Sequence, residues 1–303
     1  MQFATLIAAA GRGDLLKRSL DSIAQCELPD GYLGTYVCEN GEKTGLEDVV
    51  RGASPEIRPV YLHSSEKSKS LALNYSLGAL PSKETFVFFS DDDVRLSTNC
   101  LIEYANAAKE HPTRCFFGGP TGVDYADSPP PEWLIPFLPK SAVGMDQGDK
   151  QIQLEKAILL GFNWMAQAKE ILDLGGFDGR YGPGSPTKSV GQESQMQKRL
   201  MRAGRRAIYL PKAKVWHWVP SDRINPKWAL KRAFRTGISY GQLGRTQRQD
   251  EVFGIPRRQA RKGYEAFKKY FKGCFHLDPQ MRFTARFRLA KVLGFVKGYL
   301  TSE

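Results

Sequence analysis

Residues 86–94 read FVFFSDDDV. An apolar run of this length predicts a buried strand. Its abrupt end in Asp91, Asp92 and Asp93 sets three carboxylates at the strand's C-terminal edge, where open α/β sheets bind their ligands. Clustered carboxylates repel one another and are costly to keep ionised unless a cation sits among them. Hard oxygen ligands suit Mg²⁺ or Mn²⁺, and such an ion bridges and neutralises diphosphate oxygens. A solvated turn capping the next helix would need one acid, not three.

Working outward, residues 1–120 alternate short β-rich runs with amphipathic stretches. Strands are predicted at Phe3–Ala10, Thr35–Glu39, Arg58–Leu62, Thr85–Ser90 and Cys115–Gly118. Between them, Leu15–Cys26, Ser70–Leu80 and Thr98–Glu110 space apolar residues by three and four, as helices packed on a sheet do. The alternation predicts an α/β fold with a mostly parallel central sheet flanked by helices. Residues 125–139, YADSPPPEWLIPFLP, hold too much proline for regular structure and predict a packed loop crossing between two halves. Beyond it the pattern predicts a strand at Ala157–Leu160, a helix near Gln167–Leu172, a glycine-rich loop over 175–191, a helix over Gln192–Ala203 and a strand ending at His217. From Pro226 the chain is helical and basic.

The formal net charge of +12 is unevenly spread: residues 1–150 carry 14 Lys+Arg against 21 Asp+Glu, and residues 151–303 carry 30 against 11. The second half is therefore where an anionic partner belongs. Eighteen Lys+Arg against five Asp+Glu fall in residues 224–303, interleaved with aromatic and aliphatic side chains. That pattern suits either peripheral association with an anionic membrane or an apolar face packed on the core with the charges in water. The five cysteines, Cys26, Cys38, Cys100, Cys115 and Cys274, form no C-x-x-C pair and sit in apolar runs, as buried free thiols in a reducing compartment do. The opening MQFATLIAAAGRGD has no basic leader and turns polar too soon for a signal or a span, so the expectation is a cytoplasmic protein, peripheral at the inner face of the membrane if the basic tail binds lipid.

Several strings now fall in one order: ATLIAAAGRGDLLKRSLDSI, YVCENGE, KSLALN at Lys69–Asn74, SDDD, LLGFNWMAQAKEILDLGGFD, GQESQMQKRLMRAG and VWHWVP. Together, over roughly residues 3–240, they resemble glycosyltransferase family 2 of the GT-A fold. The resemblance implies an inverting, metal-dependent glycosyltransferase acting on a nucleotide-sugar, with uridine as the donor base and a glycan or lipid-linked acceptor. It implies a nucleotide-sugar-binding half at 1–120, an acceptor-binding and catalytic half at 121–225 and a basic helical region at 226–303. Carried over position by position, Ala8, Glu39, Lys69, Asn74, Asp91 and Asp92 bind the donor. Glu39 stands where the family has an aspartate facing the base. Asp91, Asp93 and His217 hold the Mn²⁺ or Mg²⁺, a neutral imidazole suiting Mn²⁺. Glu193 takes the acceptor hydroxyl's proton, and Gln192 replaces the acid that precedes it in the family. Trp164, Gln192 and the glycine-rich loop are the acceptor-side candidates, the loop being able to close and exclude water.

Other readings meet obstacles. A dinucleotide fingerprint at Gly11–Asp14 fails because Leu16 stands where the third glycine belongs. A sugar-1-phosphate nucleotidyltransferase would explain AAAGRG but needs Thr-Arg where Asp14–Leu15 stands, and has no use for Gln192–Glu193 and His217. A non-catalytic nucleic-acid-binding protein would explain the basic half but not three acids at a strand end, and no nucleic-acid motif is present; nucleic acid is not an expected partner.

Overall fold

The computed structural model describes residues 1–185, 190–245, 251–252, 254–274 and 278–301. In chain order its principal elements are β1 (Phe3–Ala9), α1 (Gly13–Ala24), β2 (Tyr32–Asn40), α2 (Leu46–Arg51), β3 (Pro59–Ser64), α3 (Lys69–Gly78), β4 (Phe86–Asp91), β5 (Val94–Leu96), α4 (Cys100–Glu110), β6 (Cys115–Gly118) and β7 (Thr121–Tyr125). There follow α5 (Lys140–Val143), β8 (Ile152–Leu154), β9 (Trp164–Gln167), α6 (Ala168–Leu172), α7 (Gln192–Arg202), β10 (Arg206–Tyr209), β11 (Val215–Val219), α8 (Pro226–Arg245), α9 (Arg257–Cys274) and α10 (Pro279–Leu300).

Eight strands form one sheet in the order β3-β2-β1-β4-β9-β6-β10-β8. Strands β3, β2, β1 and β4 run parallel, as do β6 and β10, while β9 lies antiparallel between β4 and β6 and β8 antiparallel to β10. Side chains alternate across the strands, as a period of two requires. Ile7, Phe88, Phe117 and Met165 face α1 and α4, where Leu16, Leu20 and Tyr104 cover them. Leu6, Phe89, Phe116 and Trp164 enter the opposite core with Leu73, Leu77, Ile171 and Met196 of α3, α6 and α7. The expected α/β architecture is thus present, with helices on both faces.

The strand predicted at Ala157–Leu160 is absent; the pairing strands here are β8 and β9. Leu159, 2% exposed, packs instead against the bare Cα of Gly118. Its apolar character reflects burial rather than pairing.

The chain divides into two compact units. The first comprises residues 1–124, 140–185 and 191–218; the second holds 125–139, Val190 and the described residues from 219 onward. The proline-rich stretch therefore belongs with the C-terminal helices. It winds into a 3-10 helix over Glu132–Phe137, and Trp133 and Phe137 meet Phe283 edge-on at centroid distances of 5.4 and 5.0 Å. Helices α8 and α10 pack with backbones nearly touching, because Gly237 and Gly241 face Gly294 and Gly298. A Cβ on Gly294 would lie 2.0 Å from the Phe234 carbonyl oxygen. Among the described residues no helix is long and apolar enough to cross a membrane. Cys26, Cys38, Cys100 and Cys115 are buried free thiols, as expected; the Cys274 side chain lies outside the described part.

Candidate active site

The parallel register carries three strand ends to one line. Ala8 pairs with Cys38 on one side and Asp91 on the other, and Ala9 with Glu39. Just past β1, Gly11 takes φ +65°, a left-handed turn that glycine accepts without strain. Arg12 follows, and its guanidinium donates through Nε and Nη2 to Asp92 and through Nη1 to Asp93. The acidic turn is pinned from below: Ser19 Oγ accepts from Val94 N at 3.0 Å and Ser22 Oγ from Leu96 N at 3.2 Å. Its backbone is tied to β11, where Trp218 N donates to the Asp93 carbonyl at 2.8 Å.

That tie brings His217 to Asp93. The imidazole stacks on Phe162 at 4.6 Å, and Nδ1 lies 2.7 Å from the Ser141 carbonyl oxygen, which can only accept. Nδ1 therefore carries the proton, and in the neutral ring Nε2 presents a lone pair 3.5 Å from Asp93 Oδ1. Asp93 Oδ1 is buried with no hydrogen-bond partner. A carboxylate oxygen and an imidazole nitrogen are donors of the kind these ions take, so the pair fits Mn²⁺ or Mg²⁺. Asp91, expected beside them as a ligand, turns instead to Lys69. Accordingly, among the described residues no three such side chains converge as a ready-made metal set.

Lys69 opens α3 behind the capping Ser68 and is 8% exposed. Its ammonium donates to Asp91 and lies 3.4 Å from Glu193 Oε1. Burial alone would push the Lys69 pKa down, but Asp91 and Glu193 overcome it and hold the group above its ordinary value. Glu193 sits in the first turn of α7, and its Oε1 also accepts from Gln192 Nε2 at 2.8 Å. Its carboxyl lies over Gly161, where a Cβ would come within 2.1 Å of it. Asp92, 1% exposed, is pushed up to about 6 by burial; Arg12 opposes the shift while Asp93 and Asp91 add to it.

Three expected site residues have other tasks. Glu39 is fully buried: Oε1 accepts from Thr44 N and Oγ1 at 2.6 and 2.7 Å, and Oε2 from the Tyr61 hydroxyl at 2.6 Å. Burial raises its carboxyl pKa, and the bonds from Tyr61 and Thr44 outweigh that and leave it lowered. Its oxygens anchor the turn after β2. Asn74 spends both ends of its amide on the Phe177 backbone, at 2.8 and 2.7 Å. Trp164 has no exposed surface and stacks on Phe89 at 4.7 Å, so it offers no face to an acceptor. The glycine-rich stretch is pinned to α3 where described: Ser70 Oγ donates to the Tyr181 carbonyl at 2.8 Å and Lys69 N to the Pro183 carbonyl at 3.1 Å. Residues 186–189 lie outside the described part. Sequence reasoning missed Arg12 and Gly161. Arg12 stood within GRGD, which drew attention for its glycines; Gly161 has no local signal, since its neighbour Glu193 is far along the chain.

Residues 1–239 match the family described as glycosyltransferase like family 2. The chain belongs to that family. It is 26% identical over 231 residues to the succinoglycan biosynthesis protein ExoM of Rhizobium meliloti (strain 1021), covering 75% of this chain and 71% of ExoM. The mannosyltransferase PcManGT from Pyrobaculum calidifontis, solved in complex with GDP-Man and Mn²⁺, superposes with a TM-score of 0.62 at 16% identity, over 100% of this chain and 88% of that one. S. aureus TarS 1-349 in complex with UDP superposes at 0.54 with 12% identity, over 97% and 89%. The fold of this family 2 member is that of the GT-A enzymes, and the chain is a glycosyltransferase.

Proposed function

We propose that this family 2 enzyme moves a sugar from a nucleotide-sugar, UDP-linked, to a hydroxyl of a glycan or lipid-linked acceptor, with inversion and with a divalent metal ion. The reading rests most on Lys69, which ties Asp91 at the donor-side strand end to Glu193 at the start of α7. Residues 1–120 supply the donor side and 121–225 the acceptor side. Glu193 Oε1 is held by Lys69 and Gln192, and among the described residues no hydrogen bond falls on Oε2. Oε2 is the oxygen that takes the acceptor's proton as the hydroxyl attacks the anomeric carbon opposite the departing diphosphate. Lys69 sets a positive charge beside that carboxylate, and Arg12 adds positive charge where the leaving group gathers negative charge. Asp93 and His217 would hold Mn²⁺ or Mg²⁺, which supplies Lewis-acid neutralisation of the diphosphate when bound. The Mn²⁺ and GDP-Man in PcManGT and the UDP in TarS support a metal-assisted nucleotide donor.

Hydrolysis of a panel of nucleotide-sugars with Mn²⁺ tests the donor without knowledge of the acceptor. Asp93→Asn removes the charge from the oxygen facing His217, and calorimetry of UDP with Mn²⁺ is expected to lose most of its metal-dependent binding. Unchanged binding would overturn the metal assignment.

A further inference from the structure

Helix α9 faces two environments. On its packed side Ala266 is buried, Gly263 approaches Val292 and Gly273 approaches Ala285 of α10. On its outer side Tyr264, Phe267 and Phe271 are 62, 54 and 61% exposed. Their spacing of three and seven aligns them in one stripe along the helix. At 100° per residue the sector beside that stripe is basic, with Arg257, Lys268, Arg261 and Lys272 nearest the rings. Residues 257–274 hold seven Lys+Arg and one acid, Glu265. Lys268 reaches back over the Tyr264 ring at 5.2 Å.

Large rings more than half exposed beside a cationic sector are costly for a solvated face and suited to an interface that is apolar below and anionic above. A second copy of this chain would bring the same cations against themselves. A duplex nucleic acid would use the charges and leave the rings wet. We propose that the outer face of α9 docks on an anionic lipid bilayer, with the three rings at the headgroup–acyl boundary and the basic sector on lipid phosphates. The surface is narrower than the whole basic tail, because α8 and α10 spend their inner faces on each other. The proposal stands apart from the sugar-transfer chemistry and does not require it.

Flotation of the full chain with vesicles of equal parts phosphatidylglycerol and phosphatidylcholine, and with phosphatidylcholine alone, tests it. Binding is expected to the anionic vesicles only, at low salt, and to be released by high salt. The triple variant Tyr264→Ser, Phe267→Ser, Phe271→Ser, and separately the charge variant Lys268→Glu, Lys272→Glu, are each expected to weaken binding about tenfold or more. Circular dichroism and nucleotide-sugar hydrolysis of both variants should match the unmodified chain, since the altered side chains face solvent. Failure of the unmodified chain to float at low salt, or undiminished flotation of the ring variant, would overturn the proposal. So would loss of self-association in the ring variant without any vesicle binding in the parent.

Discussion

In the first unit Glu39, Lys69, Asp92 and Asp93 are all buried, whereas in the second unit every Lys, Arg, Asp and Glu whose side chain is described is at least partly exposed. Glycines let backbone approach closely in both units, as Gly119 does for the Ala213 carbonyl, and in the first unit one of them serves a charge as well. Gly161 makes room for the carboxylate of Glu193; Gly237, Gly241, Gly294 and Gly298 make room only for helix backbone. Burying a charge is expensive unless it is paired and hydrogen-bonded, so a unit that buries four of them is shaped by what those charges must do. The second unit is shaped by packing, and its charges are left for the surface. Substitutions in the first unit should therefore alter chemistry or charge balance, and substitutions in the second should alter stability or adhesion.

The largest expected effect is at Glu193. Glu193→Gln keeps the shape and the contact with Lys69 but cannot accept a proton, so turnover should fall by roughly 10²–10⁴-fold with UDP affinity nearly unchanged. Steady-state rates paired with calorimetry check it; an equal loss of donor binding would assign Glu193 a structural or metal-linked role. The counterpart in the second unit is Gly294→Ala. Its Cβ would meet the Phe234 carbonyl oxygen, so α8 and α10 must separate, costing about 1–3 kcal/mol by the usual scale of overpacking. The exposed neighbour Leu293, altered to alanine, should cost within about 0.5 kcal/mol. Urea midpoints for the two variants, together with unchanged donor binding, separate a packing unit from a chemical one.

The parallel half of the sheet was legible because each strand is a compact apolar run bounded by turns, and FVFFSDDDV announced both its burial and its edge. The antiparallel β9 was not. Its four residues form a strand because Met165 and Trp164 fill the two cores between β4 and β6, a tertiary demand with no local signature. The apolar AILL stretch before it drew the strand prediction instead. At the candidate site the motifs singled out Lys69, Asp93, Glu193 and His217, and the structure sets Lys69 beside Glu193 and His217 beside Asp93. Glu39, Asn74 and Trp164 show the limit of motif reasoning: a motif fixes a place in the fold, whereas the side chain's partner depends on residues from elsewhere, here Tyr61, Phe177 and Phe89. Arg12 needed the three-dimensional turn at Gly11 to be found at all.

The buried charge of Glu39 can be tested through Tyr61. Tyr61→Phe removes the only donor to Oε2 among the described residues while preserving the ring, so a buried carboxylate is left with half its support. Losing a hydrogen bond to a charged group costs about 1.5–3 kcal/mol, and partial water access at the half-buried Tyr61 places this one near the lower end. The pH dependence has a definite sign. Glu39's carboxyl lies below its ordinary value in the folded chain, so the stability it contributes is complete above about 4.3, the unfolded value, and is lost as pH falls through the lower folded value. Removing Tyr61's bond raises the folded value, so the variant has less of this stability to lose. The difference in urea midpoint between the two proteins should therefore be full at neutral pH and narrow as the solution is acidified below about 4.3. A difference that stays constant across that range would mean Tyr61 contributes through packing alone, and the buried charge would then rest on Thr44.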